Sequence, residues 1–175
     1  MVFYLVGYMG CGKSSIGREA ARRAGYGFID TDREVEKMEG MSVAEIFSAK
    51  GEETFRALED EVLRRVAAQG GNVIVATGGG TPCYSDNMAL MNSTGKTIYL
   101  RLSPVNIVRR LRPGQAHRPK LSGMSKEQML RYMECNLPAR ETTYARAAMT
   151  IWCDTLSDDS IVRHVVDYVR YCEKI

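Results

Sequence analysis

The chain has 175 residues, is 45% hydrophobic and 26% charged, and carries a formal net charge of +3 and five cysteines. That length suits one domain that buries a core without disulfides, and no apolar run approaches the length of a membrane span. The mild charge does not call for nucleic acid, and an odd set of scattered cysteines with no C-x-x-C pair speaks against a disulfide framework or a structural zinc site.

Val2 to Val6 form a continuous apolar run, the pattern of a strand buried on both faces. It leads into glycines without a basic leader or a longer apolar stretch, which points to a cytoplasmic protein. A helix is predicted over 14–24, closed by Gly25, and a short strand at Phe28 and Ile29 ends on Asp30-Thr31-Asp32. Ser42 and Glu45 have capping-box spacing and open a short helix that stops near Gly51. Over 52–69, Phe55, Leu58, Val62 and Val66 make a helical stripe.

A third strand over 72–76 runs into Gly78-Gly79-Gly80, and a fourth over 97–102 is followed by Ser103-Pro104 and a further helix. Pro113, Gly114, Pro119 and Gly123 make 112–124 a loop. Ser125 and Gln128 repeat the capping-box spacing for a helix to about Arg140; a fifth strand over 149–152 and a closing helix over 158–172 complete the chain. Strands alternating with helices predict an α/β class with a parallel sheet covered on both faces, in one domain over 1–175.

Three groups of residues carry chemistry. Gly7-Tyr8-Met9-Gly10-Cys11-Gly12-Lys13-Ser14 fits G-x-x-x-x-G-K-[ST], and it lies between a buried strand and a helix, the context the motif requires. Glycines let backbone N–H groups turn around a phosphate, the helix start adds its positive dipole end, Lys13 supplies a cation, and the Ser14 hydroxyl suits Mg²⁺. Asp30 and Asp32 stand at the end of the second strand, the edge where open α/β sheets bind ligands. One can hold Mg²⁺ and the other accept a hydrogen bond from an attacking hydroxyl; the lesser alternative is that these acids merely cap the following helix. Gly78, Gly79 and Gly80 stand at the same edge. Arg56 and Arg140 have the chemistry of a carboxylate clamp, and Arg118 lies in a loop suited to closing over phosphates. From Asn87 to Lys126 there is no acid, whereas Arg101, Arg109, Arg110, Arg112, Arg118 and Lys120 all fall within, as suits a polyphosphate ligand.

The ordered set resembles the shikimate kinase family along nearly the whole chain. It comprises GxMGxGKS, the Asp30-Thr31-Asp32 triplet, Gly51-Glu52-Glu53-Thr54-Phe55-Arg56, the triple glycine, Arg118-Pro119 and Arg140-x-x-x-Tyr144. The resemblance implies a three-layer α/β/α P-loop NTPase fold with a five-stranded parallel sheet, substrate-binding helices about 31–62 and a lid about 112–124. It implies a monomer that uses Mg²⁺ and ATP to convert shikimate to shikimate 3-phosphate, with no nucleic-acid or membrane partner. On the matching positions, Gly10, Cys11, Gly12, Lys13, Ser14 and Ser15 would hold ATP, with Ser14 and Asp30 on the metal. Asp32 would orient the acceptor hydroxyl; Arg56, Arg140 and Gly78 to Gly80 would hold the acid; Arg118 would reach the phosphates. Arg110 or Arg112 would stack on adenine, Arg112 being preferred. The lid reads Arg118-Pro119-Lys120-Leu121 where the family has R-P-L-L, and no arginine stands near 154–157 as a second adenine contact. A kinase for gluconate or another small polyol acid on the same scaffold is the alternative.

Overall fold

The computed structural model describes residues 1–111, 121 and 123–174. Five strands, β1 (Val2–Val6), β2 (Gly27–Asp30), β3 (Val73–Ala76), β4 (Lys96–Arg101) and β5 (Met149–Trp152), form one sheet in the order β2-β3-β1-β4-β5. Every pairing is parallel, with Val2 opposite Val73 and Phe3 opposite Lys96. All residues of β1 and β3 are buried, on both parities of the pleat, which requires cover on both faces. Each large apolar side chain so placed contributes roughly 1.5–3 kcal/mol relative to an exposed one.

The helices are α1 (Lys13–Ala24), α2 (Thr31–Glu39), α3 (Val43–Gln69), α4 (Asn87–Thr94), α5 (Pro104–Arg110), α6 (Lys126–Tyr144) and α7 (Asp158–Cys172), with one 3-10 turn at Thr81–Cys83. α1 packs on α7 and on β3, α3 on α2 and α4, and α4 on β4. Edge-on ring contacts from Phe3 to Tyr26 and Tyr168, at 5.8 and 6.2 Å, fix α7 and the α1–β2 corner against β1.

Most predicted boundaries stand within a residue or two. Gly25 closes α1 in the left-handed conformation, and both capping boxes form, at Ser42 with Glu45 and at Ser125 with Gln128. The expected break near Gly51 is a kink within α3, where Gly51 has φ 83° and ψ 169°. Two differences bear on function. α6 runs past Arg140 to Tyr144, passing through Pro138, so Arg140 is an interior helical residue rather than a terminal one. Thr31 begins α2 directly after β2, so Asp30 caps that helix: its Oδ1 accepts the Arg33 N–H at 3.4 Å. The capping role and the strand-end position are therefore both real for Asp30. All five cysteines are free thiols, and no helix among the described residues is long and apolar enough to cross a membrane.

Candidate active site

The carboxyl ends of β1, β2 and β3 converge on one edge, where the chain crosses from one side of the sheet to the other, the place open α/β sheets bind ligands. Thr77 joins two of these ends, because its backbone N–H and its hydroxyl both donate to the Leu5 carbonyl, at 3.2 and 2.9 Å. The glycine loop leaves β1 here and turns into α1 through Gly12, whose φ of 98° a side chain would strain. α2, α3, α6 and α7 each receive a hydrogen-bonding side-chain cap, from Asp30, Ser42, Ser125 and Ser157. α1 has neither a side-chain cap nor an acidic residue in its first turn, which leaves its leading amides to an anion.

Lys13 is 7% exposed, and its ammonium donates to the carbonyls of Gly7 at 2.7 Å and Tyr8 at 3.0 Å, with Cys11 Sγ at 3.7 Å. A full positive charge is thus held inside the loop by the loop's own backbone. Ser14 and Ser15 begin α1 with exposed side chains, and the Ser15 hydroxyl donates to Gly12 at 3.0 Å. Arg110, at the end of α5, approaches the same loop: a Cβ built on Gly12 would lie 3.2 Å from its Nη1, and its Nη2 pairs with Asp158 at 2.7 Å. Arg112 and Arg118, and with them most of the segment 112–124, lie outside the described residues.

Gly78, Gly79 and Gly80 form a second centre beside the loop, each against a different functional group. A Cβ on Gly80 would sit 2.6 Å from both terminal nitrogens of Arg56, so this guanidinium lies flat on backbone that only glycine leaves clear. Gly79 abuts the phosphate loop, 3.0 Å from Met9 N by the same construction, and its carbonyl accepts the Tyr144 hydroxyl. Gly78 donates its N–H to Thr31 Oγ1 at 3.0 Å and faces Asp32, whose Oδ1 would be 2.8 Å from an added Cβ. Arg140 stands one turn before Tyr144 on α6, with its guanidinium 5.2 Å above the Tyr8 ring. Burial raises the Cys83 thiol's pKa, and Arg140 and Arg56 both oppose that rise, so both cations act on the residue that ends the 3-10 turn after the triple glycine.

Sequence reasoning missed Glu59. It is 1% exposed, its Oε1 accepts the Thr81 hydroxyl at 2.6 Å, and its other oxygen pairs with Arg56. The signal was present, because Phe55, Glu59, Val62 and Val66 share a helical stripe in which one position is an acid. Burial pushes the Glu59 carboxyl up to about 7; Arg56 opposes the rise and Asp32 adds to it. Burial works to lower Arg56, yet Glu59 and Glu52 together hold its guanidinium above the usual arginine range.

Because the folded value of Glu59 exceeds its ordinary 4.5, its contribution to stability is complete below that value and is lost as pH rises through about 7. Glu59→Gln is therefore expected to flatten the pH dependence of the melting temperature between about pH 5 and 8. An unaltered slope in thermal denaturation would show that Glu59 does not titrate in that window.

Strand, glycine loop, lysine and uncapped helix, beside an arginine-lined glycine pocket, define a P-loop phosphotransferase architecture. The family model for shikimate kinase matches residues 9–170. The shikimate kinase of Parabacteroides distasonis is 38% identical over 162 residues, 93% of each chain. The chain therefore belongs to the shikimate kinase family. Among solved structures, that of shikimate kinase from Bacteroides thetaiotaomicron superposes with a TM-score of 0.88 at 35% identity, covering 100% of this chain and 99% of that one. Shikimate kinase from Acinetobacter baumannii in complex with shikimate gives 0.80 at 29% identity, over 97% and 93%.

Proposed function

We propose that this chain transfers the terminal phosphate of ATP to the 3-hydroxyl of shikimate. The observation that carries the proposal is the juxtaposition at the triple glycine: the loop that cages Lys13 abuts Gly79, Arg56 lies on the adjoining Gly80, and Arg140 stands over the loop's own Tyr8. A nucleotide's phosphates and a small carboxylate are thereby held next to each other, and phosphoryl transfer asks little more of a protein than such placement and charge neutralisation.

In this reading the backbone of Gly10 to Ser15 cradles the β- and γ-phosphates, and Lys13 offsets the negative charge that gathers between the β- and γ-positions. Arg56 and Arg140 fix the acid by its carboxylate, a contact for which the planar guanidinium is well suited. Asp32, at the start of α2 and facing Gly78, accepts the hydrogen bond of the attacking hydroxyl and points its oxygen at the phosphorus. Arg110, already beside Gly12, is the described arginine best placed to extend toward the nucleotide. Ser14 and Asp30 fit Mg²⁺ by the chemistry of their donors: both offer hard oxygens, and two protein oxygens leave room for phosphate and water, as this ion favours. Bound there, Mg²⁺ would supply neutralising charge to the phosphate oxygens. The chain works as a cytoplasmic monomer and single catalytic domain, with helices over about 31–62 presenting the acceptor.

The alternative, a gluconate-type kinase, shares the nucleotide half and differs at the acceptor. Arg56 seated on Gly80, together with Arg140, favours a compact ring acid. A coupled assay of ADP release with shikimate, gluconate or AMP as acceptor tests the choice. Release is expected with shikimate alone; release with gluconate alone would transfer the proposal to the alternative, and release without any acceptor would make the chain an ATPase.

A further inference from the structure

Tyr8 is the second residue of the glycine loop, and nothing in the chemistry described so far uses its side chain. It is 1% exposed. Its hydroxyl is buried without a hydrogen-bond partner among the described residues, so hydrogen bonding does not explain a tyrosine here. Its ring, by contrast, lies under the Arg140 guanidinium at 5.2 Å. Burial pushes the phenol up to about 12, Arg140 opposing and Tyr132 adding to the rise, so the ring is neutral and offers its π face rather than a phenolate. Its backbone faces the other way: the Tyr8 carbonyl accepts Lys13 Nζ at 3.0 Å, and its carbonyl carbon lies 3.6 Å from a Cβ built on Gly79. One residue therefore holds the phosphate-binding lysine by its backbone and the acid-binding arginine by its ring.

We infer that Tyr8 is a positioning residue that seats Arg140 for the acceptor carboxylate from within the phosphate loop, and so couples the two substrate sites. The inference rests on the acceptor reading above and adds to it a determinant of acid affinity located in the nucleotide motif. A guanidinium on a long α6 side chain has many rotamers, and the aromatic face selects the one that points at the pocket. The Tyr8 carbonyl is held by Lys13, so the seat of Arg140 and the phosphate-loop lysine are linked through one residue, and this link is what would let bound nucleotide tighten the grip on the acid.

The test compares Tyr8→Leu, which removes the ring, with Tyr8→Phe, which keeps it and removes only the hydroxyl. Shikimate affinity is measured by calorimetry with and without ADP, a readout that needs no turnover, and KM and kcat are measured alongside. Tyr8→Leu is expected to weaken shikimate binding roughly ten-fold, to abolish the enhancement by ADP, and to leave KM for ATP within about two-fold; Tyr8→Phe restores wild-type binding. If the leucine protein melts too low to assay, Tyr8→Met refills the volume with a flexible apolar chain and carries the same expectation. Unchanged shikimate affinity in the ring-less variant, or equal impairment in Tyr8→Phe, would overturn the inference. Turnover of shikimate by the wild type, measured in the same series, reports separately on the proposed function.

Discussion

Lys13→Met is expected to reduce phosphoryl transfer by about 10³-fold or more while the protein still folds. Lysine and methionine have similar length, so the buried channel that the side chain occupies stays filled. The loss is the charge. In the folded chain Lys13 is 7% exposed and its Nζ is held by two loop carbonyls at 2.7 and 3.0 Å, so the charge is lost from the centre of the loop. Two buried carbonyls lose a donor, at a cost of about 1–3 kcal/mol, against a total stability of order 5–15 kcal/mol for a domain of this size. A melting curve only modestly shifted, with ADP release near background, is the expected pair of results. Retention of more than about a tenth of kcat would mean that backbone amides and the helix terminus alone neutralise the transferred phosphate.

Asp32→Asn is expected to lower kcat by about 10²- to 10⁴-fold with a much smaller change in KM for shikimate. The substitution preserves shape at the first turn of α2, where Asp32 faces Gly78 within a group formed by Thr31, Glu59 and Thr81. It removes the negative charge that, in the proposed mechanism, orients the acceptor hydroxyl and draws on its proton. A kcat drop without a matching rise in KM separates action in the transition state from ground-state binding. The opposite pattern, normal kcat with raised KM, would reduce Asp32 to a binding contact. The same substitution removes one of the causes that hold Glu59 high, so the pH response of the variant should shift toward acid.

Arg56 needs a different design. Truncation to alanine would take away the guanidinium that opposes the rise of the buried Glu59 carboxyl and leave that group without its partner, so the protein would lose stability as well as a cation. A raised KM in such a protein would mix lost recognition with lost structure. Pairing any Arg56 change with Glu59→Gln separates the two, a control that residue types alone do not suggest.

The sequence carried the scaffold because its signals were local. The apolar run of β1, the two capping boxes and the glycine at the end of α1 each specify an element through its own few residues, and each stands where expected. α4 was not foreseen: Met88 and Met91 are buried, but eight residues with an unpronounced periodicity offer little pattern to read. The end of α6 was placed four residues early, at Arg140, though the helix continues through Pro138.

At the site, individual residues were legible and their partners were not. Lys13, Asp32, Arg56, Arg140 and the triple glycine follow from motif and resemblance. That Arg56 lies on Gly80, that Thr81 binds Glu59, and that Arg140 stands over Tyr8 depend on contacts between residues 22 to 132 positions apart, which spacing along the chain does not encode. An acid inside the apolar stripe of α3 was the one sign of Glu59 in the sequence, and it went unread.

The most direct measurement of the two-site account is a comparison of shikimate with its methyl ester as acceptor for ATP. The ester keeps the ring and every hydroxyl and removes only the charge that Arg56 and Arg140 are proposed to hold. A drop in kcat/KM of about 10²-fold or more, with KM for ATP unmoved, is the expected result; equal turnover of ester and acid would contradict it.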